Sequence, residues 1–448
     1  MRFEHAKGAD SRREWEHRLQ RMADIGRASK YQAFKHSLTL LGLIYLQRHD
    51  QLSLPDTIDE PSSAALRLAE VIERHKGLQT KPLSQHLLSG LSSIEPAILT
   101  DWLRIASENW PVEGFPEWFE AKLDELGFAY HHDTPSSLTR LVASLFSDRS
   151  PTTIFDPACG TGGFLAAAAE QIGHAALFGQ EMNSEAWAWA EMRFLIRGER
   201  HIKLAIGNTL ADQAFSRLAP KDGFDLVLTN PPFGMALDPN TASRLSRRTS
   251  NLVGGLVGRL SSETAHVQEI LASLSNSGAA AIIVPNGFLS RGGTDQKLRE
   301  ALVRNDSVQA ILGLPERVFA PGTTIETAIL VLNRRKPDDQ KGRILLLDAR
   351  KLGRREGNRA VLDDEAIERI TSRYRRWGDD VGFSRVLPFE ELDPANCSFS
   401  PARYMEAATP AATMNPDERR SHIAELDARY IALCQEYEAL RLQLARSR

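Results

Sequence analysis

A glycine-rich stretch, Asp156-Pro-Ala-Cys-Gly-Thr-Gly-Gly-Phe164, has the composition of a ligand-binding turn. It follows a β-branched and aromatic run at 152–155 and leads into an alanine-rich run at 165–170 that favours a helix. A strand, a glycine-rich turn and a helix in that order predict a cofactor site at the carboxyl end of a parallel sheet, because glycine lets the backbone approach a ligand closely. Leu165 stands where the dinucleotide pattern G-x-G-x-x-G requires its third glycine. We therefore expect a ligand without a pyrophosphate.

Polar side chains end three further strand-like runs. Glu181 follows the glycine-rich turn by about twenty residues, where Rossmann-like sites place an acid on ribose hydroxyls. Asn208 ends the next run, and the buried run at 224–229 leads into Asn230-Pro-Pro-Phe233. The two prolines lack backbone donors and stiffen the loop, which leaves carbonyls free to accept hydrogen bonds. Together these residues predict a nucleoside-like ligand at one edge of the sheet.

The glycine-rich turn paired with Asn230-Pro-Pro-Phe233 resembles the adenine-N6 DNA methyltransferases, and more narrowly the modification subunits of type I restriction-modification systems. The likeness covers roughly residues 130–405. It continues through Val284-Pro-Asn-Gly-Phe-Leu289, Gly313-Leu-Pro-Glu-Arg-Val-Phe319, Thr323-Thr-Ile-Glu-Thr-Ala-Ile-Leu-Val-Leu332 and Ser400-Pro-Ala-Arg-Tyr404. The resemblance implies an α/β fold built on a Rossmann-like sheet of the kind found in S-adenosylmethionine-dependent methyltransferases.

The resemblance also implies catalytic roles for Asn230, Pro231, Pro232 and Phe233. An adenine amino group is a weak nucleophile because its lone pair is delocalised into the ring. The Asn230 side-chain oxygen and the Pro231 carbonyl would accept its hydrogens and hold it in line with the methyl donor, so no strong base is needed. Pro232 belongs to the same stiff loop, and Phe233 offers a face on which an extruded base can stack.

S-adenosylmethionine is the cofactor that the resemblance implies, and no metal is implied. Glu181 would take its ribose, Asn208 would lie near its adenine, and the backbone from Asp156 to Gly162 would hold its methionine end. The implied cofactor-binding residues are Thr134, Pro135, Asp156, Ala158, Gly160, Thr161, Gly162, Glu181 and Asn208.

Two positions depart from the family's pattern. The family often has Asp where Asn208 stands; Asn keeps an acceptor oxygen and adds a donor, so we expect cofactor binding to survive at reduced strength. The family also tends to place an aromatic residue just before the Thr134-Pro135 pair. This chain has His132 and Asp133 there, with Tyr130 further back.

The chain divides into three predicted regions. Residues 1–112 are predicted to be a helical domain, since Phe34, Leu38, Leu41 and Tyr45 recur at helical spacing and a second apolar stripe follows at 63–74. Residues 113–405 are predicted to be the catalytic domain, with a capped helix at 136–146. Its strands are predicted at 153–157, 176–181, 202–207, 224–229, 279–284, 308–312, 327–333 and 343–348. Past about residue 352 the pattern is mixed and polar.

The last region, 406–448, is predicted to be a helical tail for subunit docking. Apolar residues there alternate three- and four-residue steps, which is a heptad seam. The seam consists of Ile423, Leu426, Tyr430, Leu433, Tyr437, Leu440 and Leu444. Such a seam is covered either by the chain folding back on itself or by the helices of a partner, and we favour a partner.

A stretch without acids, 239–262, contains Arg244, Arg247, Arg248 and Arg259. We expect a mobile loop there that contacts phosphates near the target base; a solvated surface segment is the alternative. Three histidines without metal-ligand spacing, His131, His132 and His266, are expected to be structural. Cys159 is expected to pack within the glycine-rich turn.

The 448 residues, 25% of them charged and 42% hydrophobic, predict a globular protein of two or three domains. The formal net charge of −3 gives no global sign of nucleic-acid binding, so any such surface must be local. No apolar run has the length needed to cross a bilayer, the three cysteines lack C-x-x-C spacing, and the N-terminus lacks a secretory signal. A cytoplasmic location is therefore expected.

The leading hypothesis is site-specific adenine-N6 methylation of double-stranded DNA by a modification subunit that needs a separate specificity subunit. The resemblance also allows for a restriction subunit and a second copy of this chain in the complex. Methylation of protein glutamine or of RNA bases is an alternative, because the same Asn-Pro-Pro-aromatic loop serves those planar amino groups. A non-catalytic, cofactor-sensing DNA-binding or assembly subunit is a third, motivated by Asn208.

Overall fold

The computed structural model describes residues 2–25, 30–50, 52, 60–77, 83–129, 134–211, 219–235, 237–249 and 260–408, with 420, 428 and 430 beyond them. Apart from Tyr430, the predicted heptad seam lies outside these residues. So do Tyr130, His131, His132, Asp133 and Arg259.

Along the chain, helices of the described residues precede the first strand, alternate with the strands and follow the last one. They are α1 (Arg2–Ile25), α2 (Lys30–His49), α3 (Pro61–His75), α4 (Pro96–Ser107), α5 (Phe115–Ala129), α6 (Ser136–Ser144), α7 (Gly163–Gln171), α8 (Ser184–Arg197), α9 (Pro239–Arg248), α10 (Ser262–Ser273), α11 (Asn286–Ser290), α12 (Thr294–Arg304), α13 (Asp364–Arg376) and α14 (Pro401–Ala408). None of the described helices is both long enough and apolar enough to cross a bilayer.

Helices α1 to α5 pack around one apolar cluster that also takes in side chains of α8. Trp15, Trp102 and Phe119 are fully buried there. Both predicted amphipathic segments are helices, α2 and α3, and α2 is apolar on nearly all sides because neighbouring helices surround it. Helix α5 lies on the catalytic side of the boundary expected at residue 112, yet it packs in this cluster. The division into three regions stays a prediction.

Nine strands form one mixed sheet and two form a separate hairpin. The strands are β1 (Thr153–Asp156), β2 (Ala176–Glu181), β3 (Ile202–Ile206), β4 (Phe224–Thr229), β5 (Leu274–Pro285), β6 (Val308–Gly313), β7 (Thr327–Asn333), β8 (Arg343–Asp348), β9 (Arg354–Glu356), β10 (Arg359–Val361) and β11 (Ser384–Pro388). The sheet order is β11-β8-β6-β7-β5-β4-β1-β2-β3, and β9 pairs with β10. The predicted α/β fold is confirmed.

Strands β1 to β5 run parallel, and β7 runs antiparallel between β5 and β6. From β1 the chain winds outward through β2 to β3, and then returns to place β4 on the other side of β1. In a doubly wound sheet this reversal opens a crevice outside the carboxyl ends of the strands, where ligands bind. Asp156 ends β1 and Glu181 ends β2, while Asn208 and Asn230 follow β3 and β4. All four side chains therefore belong to one sheet edge.

Strand β5 begins five residues before its predicted start at 279, because Leu274 already pairs with Phe224 across a bulge. The polar run Ser275-Asn-Ser277 resembles a turn in sequence. A Cβ on Gly278 would lie 2.6 Å from the Phe224 carbonyl oxygen, so only glycine allows this approach.

Two local predictions were wrong. Pro135 occupies the N-cap of α6 and no side chain caps that helix; its carbonyl oxygen accepts from the Leu138 and Thr139 amides instead. The Arg-rich stretch begins as a helix, α9, because the Asp238 carboxylate accepts from the Asn240 and Thr241 amides and Pro239 occupies the first turn.

Candidate functional site

The Asn230 side chain uses its amide nitrogen in a hydrogen bond within the chain, while its amide oxygen has no partner among the described residues. Its Nδ2 donates to Thr134 Oγ1 at 3.1 Å. Its Oδ1 is buried and accepts no hydrogen bond from the described part of the chain. Buried polar atoms are almost always paired, so an orphaned acceptor at a sheet edge indicates a site where a ligand donates.

The loop after Asn230 is fixed by the first turn of α10. The Gly234 amide donates to Glu263 Oε1 at 3.0 Å, and the Met235 amide donates to Ser262 Oγ at 3.1 Å. Ser262 Oγ also lies 3.4 Å from the Pro232 carbonyl oxygen. No backbone amide of the described residues donates to the Pro231 carbonyl. The loop is thus rigid while its first two acceptors stay available.

A small cavity of about 20 Å³ separates Asn230 from the glycine-rich turn. Asp156 lines it and is 1% exposed. Asp156 Oδ1 accepts from the Ala158 amide at 3.1 Å; the Thr229 hydroxyl lies beside the same carboxyl group, but Oδ2 makes no well-formed hydrogen bond among the described residues. Burial raises the pKa of Asp156 to about 7. A cationic ligand group beside this buried carboxyl group would stabilise its charged form.

Glu181 joins the glycine-rich turn to a second, larger cavity. Its Oε2 accepts from the Gly160 amide at 2.8 Å, and its Oε1 accepts from the Asn183 amide at 2.7 Å. The second cavity, of about 130 Å³, is lined by Ala158, Glu181 and Pro232 among others. Because Ala158 also lines the small cavity, the two cavities are neighbours at the sheet edge, and together they are called the cleft.

Asn208 lies on the wall of the larger cavity. Its Oδ1 accepts from the Leu210 amide at 3.0 Å, which closes a local turn. The neighbouring Thr209 hydroxyl donates to the Pro157 carbonyl and ties this turn to the glycine-rich turn. The amide nitrogen Nδ2 is the part of Asn208 that remains for a ligand.

Most sequence-predicted residues line this cleft. They are Thr134, Asp156, Ala158, Gly160, Thr161, Glu181, Asn208, Asn230 and Pro232.

Four predicted residues do not line either cavity. Pro135 and Pro231 are buried and line neither cavity. Gly162 has φ +87°, and a Cβ there would lie 2.8 Å from the Phe194 ring, so its role in the fold is steric. Phe233 is half-buried and packs edge-on against Phe319, with ring centroids 6.4 Å apart.

Cys159 packs inside the turn as predicted: it is buried, and a Cβ at Gly179 would lie 3.0 Å from its Sγ. Burial raises its thiol pKa well above the ordinary value, which disfavours the reactive thiolate. In α9, Arg244 donates to the Leu210 carbonyl. No group of acidic, cysteine and histidine side chains able to hold a metal occurs among the described residues.

Several lining residues were not predicted. At the small cavity these include Asp124 of α5, Phe164 of α7 and Arg193 of α8; at the larger one they include Met182, Leu210, Met235, Leu237, Thr241, Ser262 and His266. Met182 directly follows Glu181 and Met235 lies two residues past Phe233, so extending the predicted motifs could have found both. Arg193 and His266 sit inside helices far from any motif, and only the fold brings them to the cleft.

A family model described as N-6 DNA methylase matches residues 122–412 of this chain. The type I restriction enzyme MjaVII methylase subunit of Methanocaldococcus jannaschii is 26% identical over 381 residues, which cover 77% of this chain and 62% of that protein. The type I restriction enzyme HindI methylase subunit of Haemophilus influenzae is 27% identical over 299 residues, covering 61% of this chain and 63% of that protein. The chain spans about half to three-fifths of the first relatives' lengths, with shares of 62%, 52% and 54%.

Solved structures share the fold at low identity. The type I restriction-modification methyltransferase subunit from Streptococcus thermophilus superposes with a TM-score of 0.71 at 18% identity, over 88% of this chain and 99% of that chain. A chain from a structure of the type I R-M system, described in terms of complex assembly and conformational transition, gives 0.65 at 20% identity over 96% and 98%. At these identities the likeness shows the fold alone.

Proposed function

Because the chain belongs to the N-6 DNA methylase family, we propose that it methylates the N6 amino group of adenine in double-stranded DNA, with S-adenosylmethionine as the methyl donor. The observation that carries the proposal is the Asn230 side chain, whose Oδ1 is a buried acceptor without a partner among the described residues. An exocyclic amino group is the donor that such an acceptor suits.

Asn230 and Pro231 activate the amino group without removing a proton beforehand. Asn230 Oδ1 and the Pro231 carbonyl oxygen accept its two hydrogens, which draws the nitrogen toward tetrahedral geometry and makes its lone pair available. The Thr134 hydroxyl fixes the orientation of the Asn230 amide, because Nδ2 donates to it at 3.1 Å. Holding the acceptors in place before reaction removes the reorganisation that water would require.

The polar groups that line the cleft suit the functional groups of S-adenosylmethionine. Asp156, with its unpaired buried Oδ2, would hold the ammonium of the methionine end, and Glu181 would hold the ribose hydroxyls. The larger cavity beyond Glu181 would take the adenine. When bound, the cofactor supplies an electrophilic sulfonium methyl group.

The target adenine must leave the DNA stack to reach Asn230. Phe233 is half-buried beside the acceptors, and a ring in this position would stack on the extruded base. Arg244 and Arg247, on α9 close to the loop, would contact DNA phosphates. A DNA substrate also agrees with the cytoplasmic location expected from the sequence.

The chain would work as the modification subunit of a restriction-modification complex. Its relatives are named as methylase subunits of type I restriction enzymes. A specificity subunit would choose the DNA sequence and bind the C-terminal tail; a restriction subunit and a second copy of this chain would complete the assembly.

The test is a methyl-transfer assay with labelled S-adenosylmethionine and DNA, with and without a candidate specificity subunit from the same genome. We expect site-specific labelling only when both subunits are present. Robust site-specific labelling by the isolated chain would contradict the dependence on a specificity subunit, and absence of labelling with both would contradict the enzyme assignment.

A further inference from the structure

The larger cavity has few polar groups left for a ligand. The Asp238 carboxylate accepts from the Asn240 and Thr241 amides, and Ser262 Oγ serves the loop after Asn230. Apolar side chains, Met182, Leu210, Met235 and Leu237, supply much of the remaining wall. A planar apolar group with one polar edge suits such a cavity.

His266 is a buried polar side chain that lines this cavity. It is 6% exposed and lies one turn into α10. Its Nδ1 lies 2.8 Å from the Ser262 carbonyl oxygen. A carbonyl can only accept, so Nδ1 carries the proton and Nε2 is left as an acceptor. No hydrogen bond to Nε2 is formed within the described ranges.

The ring stays neutral at physiological pH. Burial lowers the pKa of His266 to about 4, and the Ser262 carbonyl and the Glu263 carboxylate offset only part of that shift. At physiological pH, Nε2 is therefore a hydrogen-bond acceptor and not a second donor.

Asn208 offers the opposite polarity on the same cavity. Its Oδ1 is engaged by the Leu210 amide, so its Nδ2 presents a donor. Adenine carries a donor, the 6-amino group, next to an acceptor, the ring nitrogen N1. A donor from Asn208 and an acceptor from His266 match that edge, whereas an Asp at position 208 would have supplied an acceptor only.

We propose that His266 reads the 6-amino group of the cofactor's adenine through Nε2, while Asn208 donates to a ring nitrogen. His266 is thereby a specificity-determining residue for the cofactor and takes over the acceptor function that an acid at position 208 would provide. This inference rests on the proposed function, because it takes S-adenosylmethionine as the ligand of the cleft.

The test is a thermodynamic cycle between the side chain and the ligand's amino group, measured by calorimetry on the full chain. One ligand is S-adenosylhomocysteine; the other is its analogue in which unsubstituted purine replaces adenine. The wild-type chain should bind the purine analogue about five- to tenfold more weakly, the effect of one neutral hydrogen bond. His266→Phe should bind both ligands equally, and His266→Gln, which keeps an acceptor, should restore the preference.

Equal binding of the two ligands by the wild type would overturn the inference, and so would an undiminished preference in His266→Phe. If His266→Phe fails to fold, the wild-type comparison and His266→Gln still decide, since loss of the preference in either overturns it. A preference for adenine without methyl transfer to DNA would contradict the proposed function and leave the role of His266 standing. No binding of either ligand would overturn both.

Discussion

Two buried oxygens at the ends of β4 and β1, Asn230 Oδ1 and Asp156 Oδ2, make no well-formed hydrogen bond within the described part of the chain. An unpaired buried acceptor destabilises a fold, and its persistence at a sheet edge points to a ligand that completes it. The two residues are proposed to bind different molecules. Asn230 would accept a hydrogen bond from the amino group that is methylated, whereas Asp156 would bind the methyl donor. Substitutions at these residues should therefore separate chemistry from binding and from stability.

Replacing Asn230 by Ala removes the acceptor for the adenine amino group. We expect methyl transfer to fall about 100- to 1000-fold, the cost of losing one preorganised hydrogen-bonding group at the reacting atoms. Affinity for S-adenosylhomocysteine, measured by calorimetry, should be essentially unchanged. Asn276→Ala is the matched control, because Asn276 is exposed near the amino end of β5, away from the cleft. Equal transfer rates in the two variants would contradict the role of Asn230.

Replacing Asp156 by Asn should change how stability depends on pH. The folded-state pKa of Asp156 is about 7 against an ordinary value of 3.8. The fold therefore favours the protonated form of Asp156. The free energy of unfolding of the wild type is highest below about pH 4 and falls as pH rises through 7, where the carboxyl group ionises in the folded state. The pKa shift corresponds to a total decrease in that free energy on the order of 4 kcal/mol.

Urea midpoints measured between pH 4.5 and 8 check this expectation. Asp156→Asn should gain stability relative to wild type as pH rises, because Asn stays neutral. A stability difference that does not vary with pH would show that Asp156 keeps an ordinary pKa.

Among individual residues, those that lie within sequence motifs could be predicted from the sequence. Asp156, Glu181 and Asn230 were found because each ends a recognisable strand, and the fold brings them to one edge. Arg193 and His266 were missed as lining residues since their relevance depends on tertiary burial. A histidine or arginine inside a helix looks the same in sequence whether it faces a cleft or the solvent.

The contact between α5 and α8 joins the helical part of the chain to the cleft. Arg193 of α8 is 1% exposed; its Nε lies 3.0 Å from Glu120 Oε2, and its Nη2 lies 2.9 Å from Asp124 Oδ1. Arg197, one turn further along α8, lies 3.5 Å from Glu120 Oε1 and is 22% exposed. The same helix pair thus places one buried arginine and one partly exposed arginine against partly exposed acids.

Truncating these two arginines should have different effects. Arg193→Ala leaves two partly exposed acids without their buried cationic partner and should cost about 1–3 kcal/mol, whereas Arg197→Ala should cost about 1 kcal/mol or less. Shifts in the urea midpoint measure both. Comparable shifts would show that burial of the Arg193 side chain does not govern this contact.

Elements with strong periodicity were predicted within a few residues. The buried strands β1, β2, β4 and β7 are short apolar runs bounded by turn residues. Helix α13 and strand β11 were missed because their sequences are rich in charge: α13 shows only a narrow apolar stripe, and β11 is an edge strand paired on one side. Helix α9 was taken for a loop since its stability comes from the Asp238 cap and from packing on α10.

On the scale of the whole molecule, the C-terminal seam is predicted to hold the specificity subunit. Leu426→Glu combined with Leu433→Glu places two charges on the seam, and we expect co-purification with that subunit to be lost because burying them is unfavourable. Ala428→Glu with Gln435→Glu adds the same number of acids on the opposite helix face and should leave assembly intact. Retained assembly in the seam variant would indicate that the tail folds back on its own chain.

The chemical identity of the methylated nucleoside shows whether the chain methylates the N6 amino group of adenine in DNA. Double-stranded DNA is incubated with S-adenosylmethionine and the chain together with its specificity subunit, digested to nucleosides and analysed by mass spectrometry. We predict N6-methyldeoxyadenosine with the wild-type chain and its absence with Asn230→Ala. A methylated cytosine in its place, or no methylated nucleoside in the DNA, would contradict adenine-N6 methylation of DNA by this chain.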